Sequence, residues 1–206
     1  MPASLEQFAN ALRLVAPEFG MELNAGRIRK LTEYYQLLLK WNPRLHLVGP
    51  CSPEEFATRH VLESLVLLRH LPLDARVVDI GSGGGLPIIP CLLVRDDLHA
   101  TLIESSSKKA VFLREALRDI RPFGRARIVI DRFENVEAHD AGFVTCRALE
   151  KFAEAIPIII KWAPSNTTFL LFAGEKLRAE IESQLKSVLV ERLPRSEARF
   201  LIIGHA

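Results

Sequence analysis

The first third of the chain repeats hydrophobic residues at helical spacing in three separate segments. The repeating positions are Leu5, Phe8, Leu12 and Val15, then Ile28, Leu31, Tyr35 and Leu38, then Phe56, Val61, Leu65 and Leu68. Ser4, Asn24 and Ser52 precede these runs and are residue types that cap helix N-termini. Gln7 completes a capping box with Ser4. The pattern predicts three amphipathic helices, the second ending near Trp41.

From Arg76 onward the pattern changes to short apolar runs that alternate with helical segments. The predicted strands are 76–80, 100–104, 126–130, 142–146, 167–172, 187–193 and 198–203. The predicted helices are 87–95, 107–120, 149–162 and 175–186. Strand and helix in alternation indicate a mostly parallel, doubly wound α/β sheet. The last two strands are separated only by "PRSEA", which is too short for a crossover helix and predicts an antiparallel last strand.

Composition places the chain among ordinary globular proteins, since 49% of its residues are hydrophobic and 25% are charged. Its apolar runs are too short to span a bilayer, and the N-terminus lacks the apolar stretch of a secretory signal, so we expect a cytoplasmic protein without a membrane partner. The cysteines Cys51, Cys91 and Cys146 are widely spread, and we expect reduced structural thiols and no metal site. The net charge of +2 favours no particular partner.

The stretch "DIGSGGGLP" joins the first predicted strand to a helix and indicates a ligand that lies against the backbone. Gly81, Gly83 and Gly85 can adopt positive φ angles and carry no Cβ. A nicotinamide dinucleotide fingerprint would need glycine where Leu86 stands. The order acid, then G-x-G-x-G, fits S-adenosylmethionine better, because Asp79 can attract the ligand's ammonium directly or through water.

Acids at the ends of the next two strands agree with this ligand. Glu104 ends the second strand, where a carboxylate can accept both ribose hydroxyls. Asp131, or a backbone carbonyl beside it, can receive the adenine amino group, and Leu86 and Phe133 can pack on the adenine ring. The residues therefore predict a methyl-donor pocket.

An ordered set of motifs resembles a known family over nearly the whole chain. The motifs are "KWNPRLHLVG", "RHVLESL", "VVDIGSGGGLPIIP", "IESSSKKAVFLREAL" and "CRALE". Together they resemble the bacterial ribosomal small-subunit methyltransferase G family, also called the glucose-inhibited division protein B family. The resemblance implies a Rossmann-like class I methyltransferase core, expected at 73–206, with an N-terminal helical extension at 1–72. It implies methylation of guanine N7 in 16S small-subunit ribosomal RNA, with the free RNA or the 30S subunit as partner and the protein expected to be a monomer.

The same resemblance implies roles for particular residues. The donor is expected at Gly81, Leu86, the Phe133–Glu134 backbone and Arg147, with Glu104 at the ribose. Residues expected to face or shape the RNA side are Lys40, Trp41, Asn42, Lys108 and Lys109. His60 also matches a family position, with bonding to a helix end as the structural alternative.

Guanine N7 has an in-plane lone pair and no proton to lose, so no general acid or base is expected. The enzyme must supply alignment, and Arg147 is the candidate positioning residue. It can orient the donor or bond guanine O6, and an ion pair with Glu150 or a neighbouring residue is the alternative.

Several positions depart from the family pattern: His46, Val48, Ile88, Cys146 and Ala173. These departures are expected to cluster at the acceptor side of the pocket. They leave two further hypotheses open: a relative that methylates another RNA or a small molecule, and a donor-binding, non-catalytic ribosome-associated factor.

Overall fold

The computed structural model describes residues 3–118, 125–137, 141–147 and 152–206. Its N-terminal part is helical, as predicted. Helix α1 spans Ala3–Val15 and is followed by a 3-10 turn at Ala16–Phe19, and α2 spans Ala25–Leu45. A third helix, α3, combines an α-turn Pro53–Glu55, a π-helix Phe56–Leu62, an α-turn Glu63–Leu65 and a 3-10 turn Val66–Arg69.

Two of the three predicted caps are confirmed. The Asn24 side chain accepts from the Arg27 N–H at 2.9 Å. The Ser52 hydroxyl accepts from the Glu55 N–H at 3.1 Å. The capping box at Ser4 is wrong, because α1 already begins at Ala3. Helix α2 also runs past Trp41, through Pro43 to Leu45.

The strands described from residue 76 onward form one seven-stranded sheet. Its strands are β1 Arg76–Ile80, β2 His99–Ile103, β3 Ala126–Val129, β4 Phe143–Cys146, β5 Thr168–Gly174, β6 Lys186–Arg192 and β7 Arg199–His205. The strand order is β3-β2-β1-β4-β5-β7-β6. The first five strands pair in parallel, and β7 lies antiparallel between β5 and β6. The predicted mostly parallel sheet with an antiparallel last strand is confirmed.

Within the described residues, four α-helices lie between the strands: α4 Ile88–Val94, α5 Ser107–Ala116, α6 Phe152–Trp162 and α7 Glu175–Gln184. The predicted segments 107–120 and 149–162 extend partly outside the described residues. No helix in the described ranges is long and apolar enough to cross a membrane.

Neighbouring strand residues point to opposite faces of the sheet, and each face is buried. Val77 packs into one hydrophobic cluster and Val78 into another. The first cluster contains α1–α5 residues, and the second contains α6 and α7 residues. Helices before residue 72 share the first cluster with the sheet, so α1–α3 and the strands form a continuous core. The division at residues 72 and 73 stays a prediction.

Candidate functional site

The glycine turn after β1 lies at the carboxyl edge of the parallel strands. Gly81, Gly83 and Gly85 have φ angles of 68°, 49° and 81°, the left-handed conformations that the sequence predicts. The Gly81 N–H donates to the Ile103 carbonyl at 2.9 Å, which ties the turn to the end of β2. The Tyr34 hydroxyl of α2 donates to the Gly84 carbonyl at 2.6 Å. The helical extension therefore helps to hold the turn.

Glu104 connects the glycine turn to the start of α5. One carboxylate oxygen accepts from the Gly83 N–H at 2.8 Å, and the other accepts from the Ser106 N–H at 2.7 Å. The residue is 6% exposed, so few waters can compete for these bonds. Each oxygen keeps a further lone pair for a ligand donor.

A cavity of about 460 Å³ lies beside this turn. Six of the residues proposed from sequence line it: Gly81, Gly83, Leu86, Glu104, Lys109 and Arg147. His60 of α3 and the segment Leu47–Gly49, which follows α2, line it as well. The extension thus forms one wall of the cavity. The sequence predicts Val48 at the acceptor side of the pocket, and Val48 is part of this wall.

Asp79 lies beneath the turn and outside the cavity lining. Its side chain is fully buried, and neither carboxylate oxygen has a hydrogen-bond partner among the described residues. Burial raises its pKa well above the ordinary value, and Glu104 adds to this rise. A direct contact with a ligand ammonium is therefore not open in this structure, whereas a water-mediated contact stays a prediction.

Four other residues proposed for the donor lie outside this cavity lining. The Phe133 ring is buried and packs edge-on against Trp162, with 5.6 Å between ring centroids. Asp131 is exposed and accepts from the Arg132 N–H and the Asn135 amide. Glu134 is exposed, and Gly85 faces Ile89. Packing of the Phe133 ring on a ligand would therefore need a rearrangement of the 3-10 turn Phe133–Asn135, which holds this ring.

Several residues proposed for the RNA side are occupied by contacts within the protein. The Trp41 indole N–H donates to Glu115 at 2.9 Å, and Lys40 lies 3.8 Å from the same carboxylate. The Asn42 amide bonds both backbone groups of Val48, at 3.1 and 3.0 Å. Asn42 therefore shapes the cavity wall through Val48.

The two lysines of α5 differ in position. Lys108 is exposed, whereas Lys109 is half-buried and lines the cavity. Of the two, Lys109 brings a cation to this cavity.

The departures from the family pattern do not cluster at the cavity. Of the five, only Val48 lines it. His46 is exposed, whereas Ile88, Cys146 and Ala173 are buried in the core. The expectation of a changed acceptor side is therefore wrong for all but Val48, because the sequence pattern does not tell core positions from lining positions in this region.

Arg147 follows β4 and presents its guanidinium at the cavity. Its Nη2 donates to Glu63 at 2.9 Å and to the Arg59 carbonyl, and its Nη1 lies 3.5 Å from the Ser64 hydroxyl. Glu150, considered above as a partner, lies outside the described residues.

His60 is held neutral by its surroundings. Neither ring nitrogen bonds to another described residue, so the side chain does not cap a helix end within that part of the chain. Burial lowers its pKa to about 4, and the charges of Arg147, Arg59 and Arg199 act in the same direction, whereas Glu55 opposes them.

We expect this pKa to make the protein less stable in acid. The folded pKa of about 4 lies below the ordinary value of 6.5. Between these pH values the unfolded chain binds more protons, so the free energy of unfolding rises with pH. The free energy of unfolding should differ between pH 4.5 and pH 7 by about 2 kcal/mol less in His60→Gln than in the parent, a figure reduced for the partial exposure of the side chain. Denaturant titration at the two pH values measures this. His99→Gln, at an exposed position, is the control. An unchanged pH dependence in His60→Gln would contradict the assignment.

A larger cavity of about 600 Å³ lies among α2, α4 and α5. It does not include the glycine turn. Three of its basic residues face nearby acids: Arg29 pairs with Glu33, Lys30 with Asp96 and Arg95 with Asp97. These acids compensate the charge of the basic residues, so this cavity is less suited to an anionic ligand than the cavity beside the glycine turn. Within the described residues, no group of His, Cys, Asp and Glu is arranged to hold a metal ion.

Sequence comparisons link the chain to a family of known activity. The family model described as rRNA small subunit methyltransferase G matches residues 27–202. A protein of that name from Halorhodospira halophila is 33% identical over 84% of this chain and 81% of its own length. Another, from Neisseria meningitidis, is 30% identical over 89% of this chain and 88% of its own length.

Solved structures support the fold. A predicted O-methyltransferase from Agrobacterium tumefaciens superposes with a TM-score of 0.56 at 19% identity, covering 70% of this chain and 78% of its own. A possible exported protein from Bordetella parapertussis gives 0.58 at 12% identity, covering 98% of this chain and 96% of its own.

Proposed function

Because the chain belongs to the rRNA small subunit methyltransferase G family, and is therefore an S-adenosylmethionine-dependent methyltransferase of small-subunit ribosomal RNA, we propose that it methylates a guanine at N7. The reaction takes place in the cavity beside the glycine turn. The acceptor is 16S RNA, free or within the 30S subunit, and the protein acts as a cytoplasmic monomer.

The observation that carries this proposal is the position of Glu104 between two backbone amides at the cavity edge. Its remaining lone pairs suit the two ribose hydroxyls of an adenosine. The Gly81–Gly83 backbone leaves room for the methionine part, and Arg147 supplies a cation at the same cavity. These groups match a ligand with a ribose and an amino-acid end, so the residues present fit S-adenosylmethionine.

The reaction requires that guanine N7 and the methyl carbon of the donor are aligned. When bound, S-adenosylmethionine supplies an electrophilic methyl carbon on its sulfonium sulfur. Guanine N7 would accept this methyl group through its in-plane lone pair as the carbon–sulfur bond breaks to leave a neutral thioether, so no proton has to leave and no general base is needed. Glu104 and the glycine turn fix the nucleoside, and Arg147 orients the reacting groups. Alignment of this kind can contribute several of the roughly 7–11 kcal/mol available from proximity and orientation.

The acceptor base must leave its stack to reach the cavity. Sequence-specific recognition of RNA generally targets loops and bulges with unstacked bases. Lys108 and Lys109 at the start of α5 are proposed to hold the flanking phosphates, while Leu47–Gly49 forms the opposite wall. Trp41 is not proposed as a stacking platform, because its indole N–H is bonded to Glu115.

The test is methyl transfer from labelled S-adenosylmethionine to undermethylated small subunits and to the free RNA. We expect label in one guanine, identified as N7-methylguanine by borohydride reduction and aniline cleavage of the RNA strand. A Glu104→Ala sample serves as the control for contaminating activity. Label at another atom would overturn the N7 assignment. Label in a small metabolite, with none in RNA, would favour the alternative substrate suggested by Val48 in the cavity wall. Donor binding without transfer to any acceptor would favour the non-catalytic factor.

A further inference from the structure

Glu63 is a buried carboxylate whose contacts lead to the proposed site. The residue lies on α3 directly after the π-helical turn, and its side chain is 1% exposed. One oxygen accepts from Arg147 at 2.9 Å, and the other accepts from Arg199 at 2.8 Å. A buried charge of this kind is costly unless it is fully paired, and here two arginines pair with it.

The two arginines have different surroundings. Arg147 lines the cavity at the glycine turn, whereas Arg199 begins β7 and is not part of the lining. Glu63 therefore joins one cation that faces the cavity to one that does not.

Most of the contacts that fix the Arg147 guanidinium come from α3. Glu63, the Arg59 carbonyl and the Ser64 hydroxyl surround its two terminal nitrogens. A further contact among the described residues is the Phe172 ring of β5, whose centroid lies 5.1 Å from the guanidinium carbon. The sheet supplies the arginine, but the helical extension decides where its charged end points.

The local backbone favours this arrangement. The Glu63 N–H donates to the Thr58 carbonyl, five residues back, which is the π-helical pattern. Such turns occur mostly as single insertions and are frequent at functional sites. This turn presents the Arg59 carbonyl, Glu63 and Ser64 to one side chain.

We propose that Glu63 is a positioning residue that holds the Arg147 guanidinium in the orientation needed to bind the methyl donor. The inference rests on the proposed function, since it assumes that the donor occupies this cavity. It assigns a role in donor binding to the helical extension, distinct from any contact of the extension with RNA.

The test compares Glu63→Gln with Arg199→Gln. Glu63→Gln removes both ion pairs of this carboxylate and Arg199→Gln removes one, so both are expected to lower the melting temperature, the first by more. Only Glu63→Gln releases Arg147. We expect its dissociation constant for S-adenosylmethionine to rise about tenfold, while that of Arg199→Gln stays within about threefold of the parent. Equal donor affinities in the two variants would overturn the proposal.

Two further measurements separate positioning from a general loss of structure. Adding Glu63→Gln to an Arg147→Gln background should weaken donor binding by less than about twofold more, because the arginine through which Glu63 acts is already gone. An undiminished tenfold effect in that background would overturn the proposal. If Glu63→Gln does not fold, Glu63→Asp keeps the charge but shortens the reach, and it should also raise the donor dissociation constant. An unchanged affinity in Glu63→Asp would count against the role.

Failure of the inference can be told apart from failure of the proposed function. If the unaltered protein binds no S-adenosylmethionine, the proposed function is wrong at its base. If it binds the donor and Glu63→Gln binds it equally well, only the role of Glu63 is rejected.

Discussion

Replacing Glu104 by alanine should weaken S-adenosylmethionine binding by about 100-fold or more. The carboxylate is the proposed acceptor for two ribose hydroxyls, and hydrogen bonds to a charged group contribute about 1.5–3 kcal/mol each. Loss of both exceeds the roughly 2.7 kcal/mol that corresponds to 100-fold. The Gly83 and Ser106 amides would also lose their acceptor, so the turn itself would loosen. Titration calorimetry with the donor, well below the melting temperature, measures the effect.

Two other variants make this result specific. Glu104→Gln keeps one acceptor oxygen, so it should fall between the parent and the alanine variant. Lys109→Ala changes a residue of the same cavity that is proposed to contact RNA phosphate. Its donor affinity should stay within about threefold of the parent, while its KM for the RNA rises. An unchanged donor affinity in Glu104→Ala would remove Glu104 from the proposed donor site.

The parts of the fold that the sequence predicts well depend on local periodicity and local chemistry. β1 has the predicted bounds, 76–80, because its apolar run ends at a glycine turn. The Asn24 cap follows from a side chain that reaches an amide three residues away. Positive φ at the turn follows from the absence of Cβ in its glycines. Each of these features is determined by residues that lie within a few positions of one another in the sequence.

Side-chain direction and long-range contacts are the features of the site that the sequence does not show. Phe133 is an aromatic residue of the kind that can pack on an adenine ring, but its ring packs against Trp162, which is distant in the chain. Asn42 lies in a motif expected to face or shape the RNA side, and only the folded chain shows that its amide bonds both backbone groups of Val48. The hydrophobic periodicity of the sequence does not show that Glu63 pairs with both Arg147 and Arg199. These pairings depend on how α3 packs on the sheet, and only the folded chain brings them together.

The glycine turn itself offers a matched pair of substitutions with opposite expected results. At Gly85 an added Cβ would lie 2.2 Å from Cδ1 and 2.7 Å from Cγ1 of Ile89, a fully buried side chain. The φ of 81° adds backbone strain for any residue with a Cβ. Overpacking of a core costs about 1–3 kcal/mol and the strain about 1–3 kcal/mol more. We expect Gly85→Ala to lower the free energy of unfolding by about 3 kcal/mol.

At Gly83 the nearest atom to an added Cβ is the Gly81 carbonyl oxygen at 3.7 Å, an ordinary contact. Only the strain of a positive φ remains, about 1 kcal/mol, so Gly83→Ala should stay folded. Gly83 lines the cavity, and a methyl group there narrows the space proposed for the donor. The S-adenosylmethionine affinity of Gly83→Ala should fall at least tenfold with little loss of stability. In Gly85→Ala the main effect should be the loss of stability. Denaturant titration and calorimetry on both variants decide the matter, because a Gly83→Ala protein that binds the donor normally would show that the ligand does not lie against this turn.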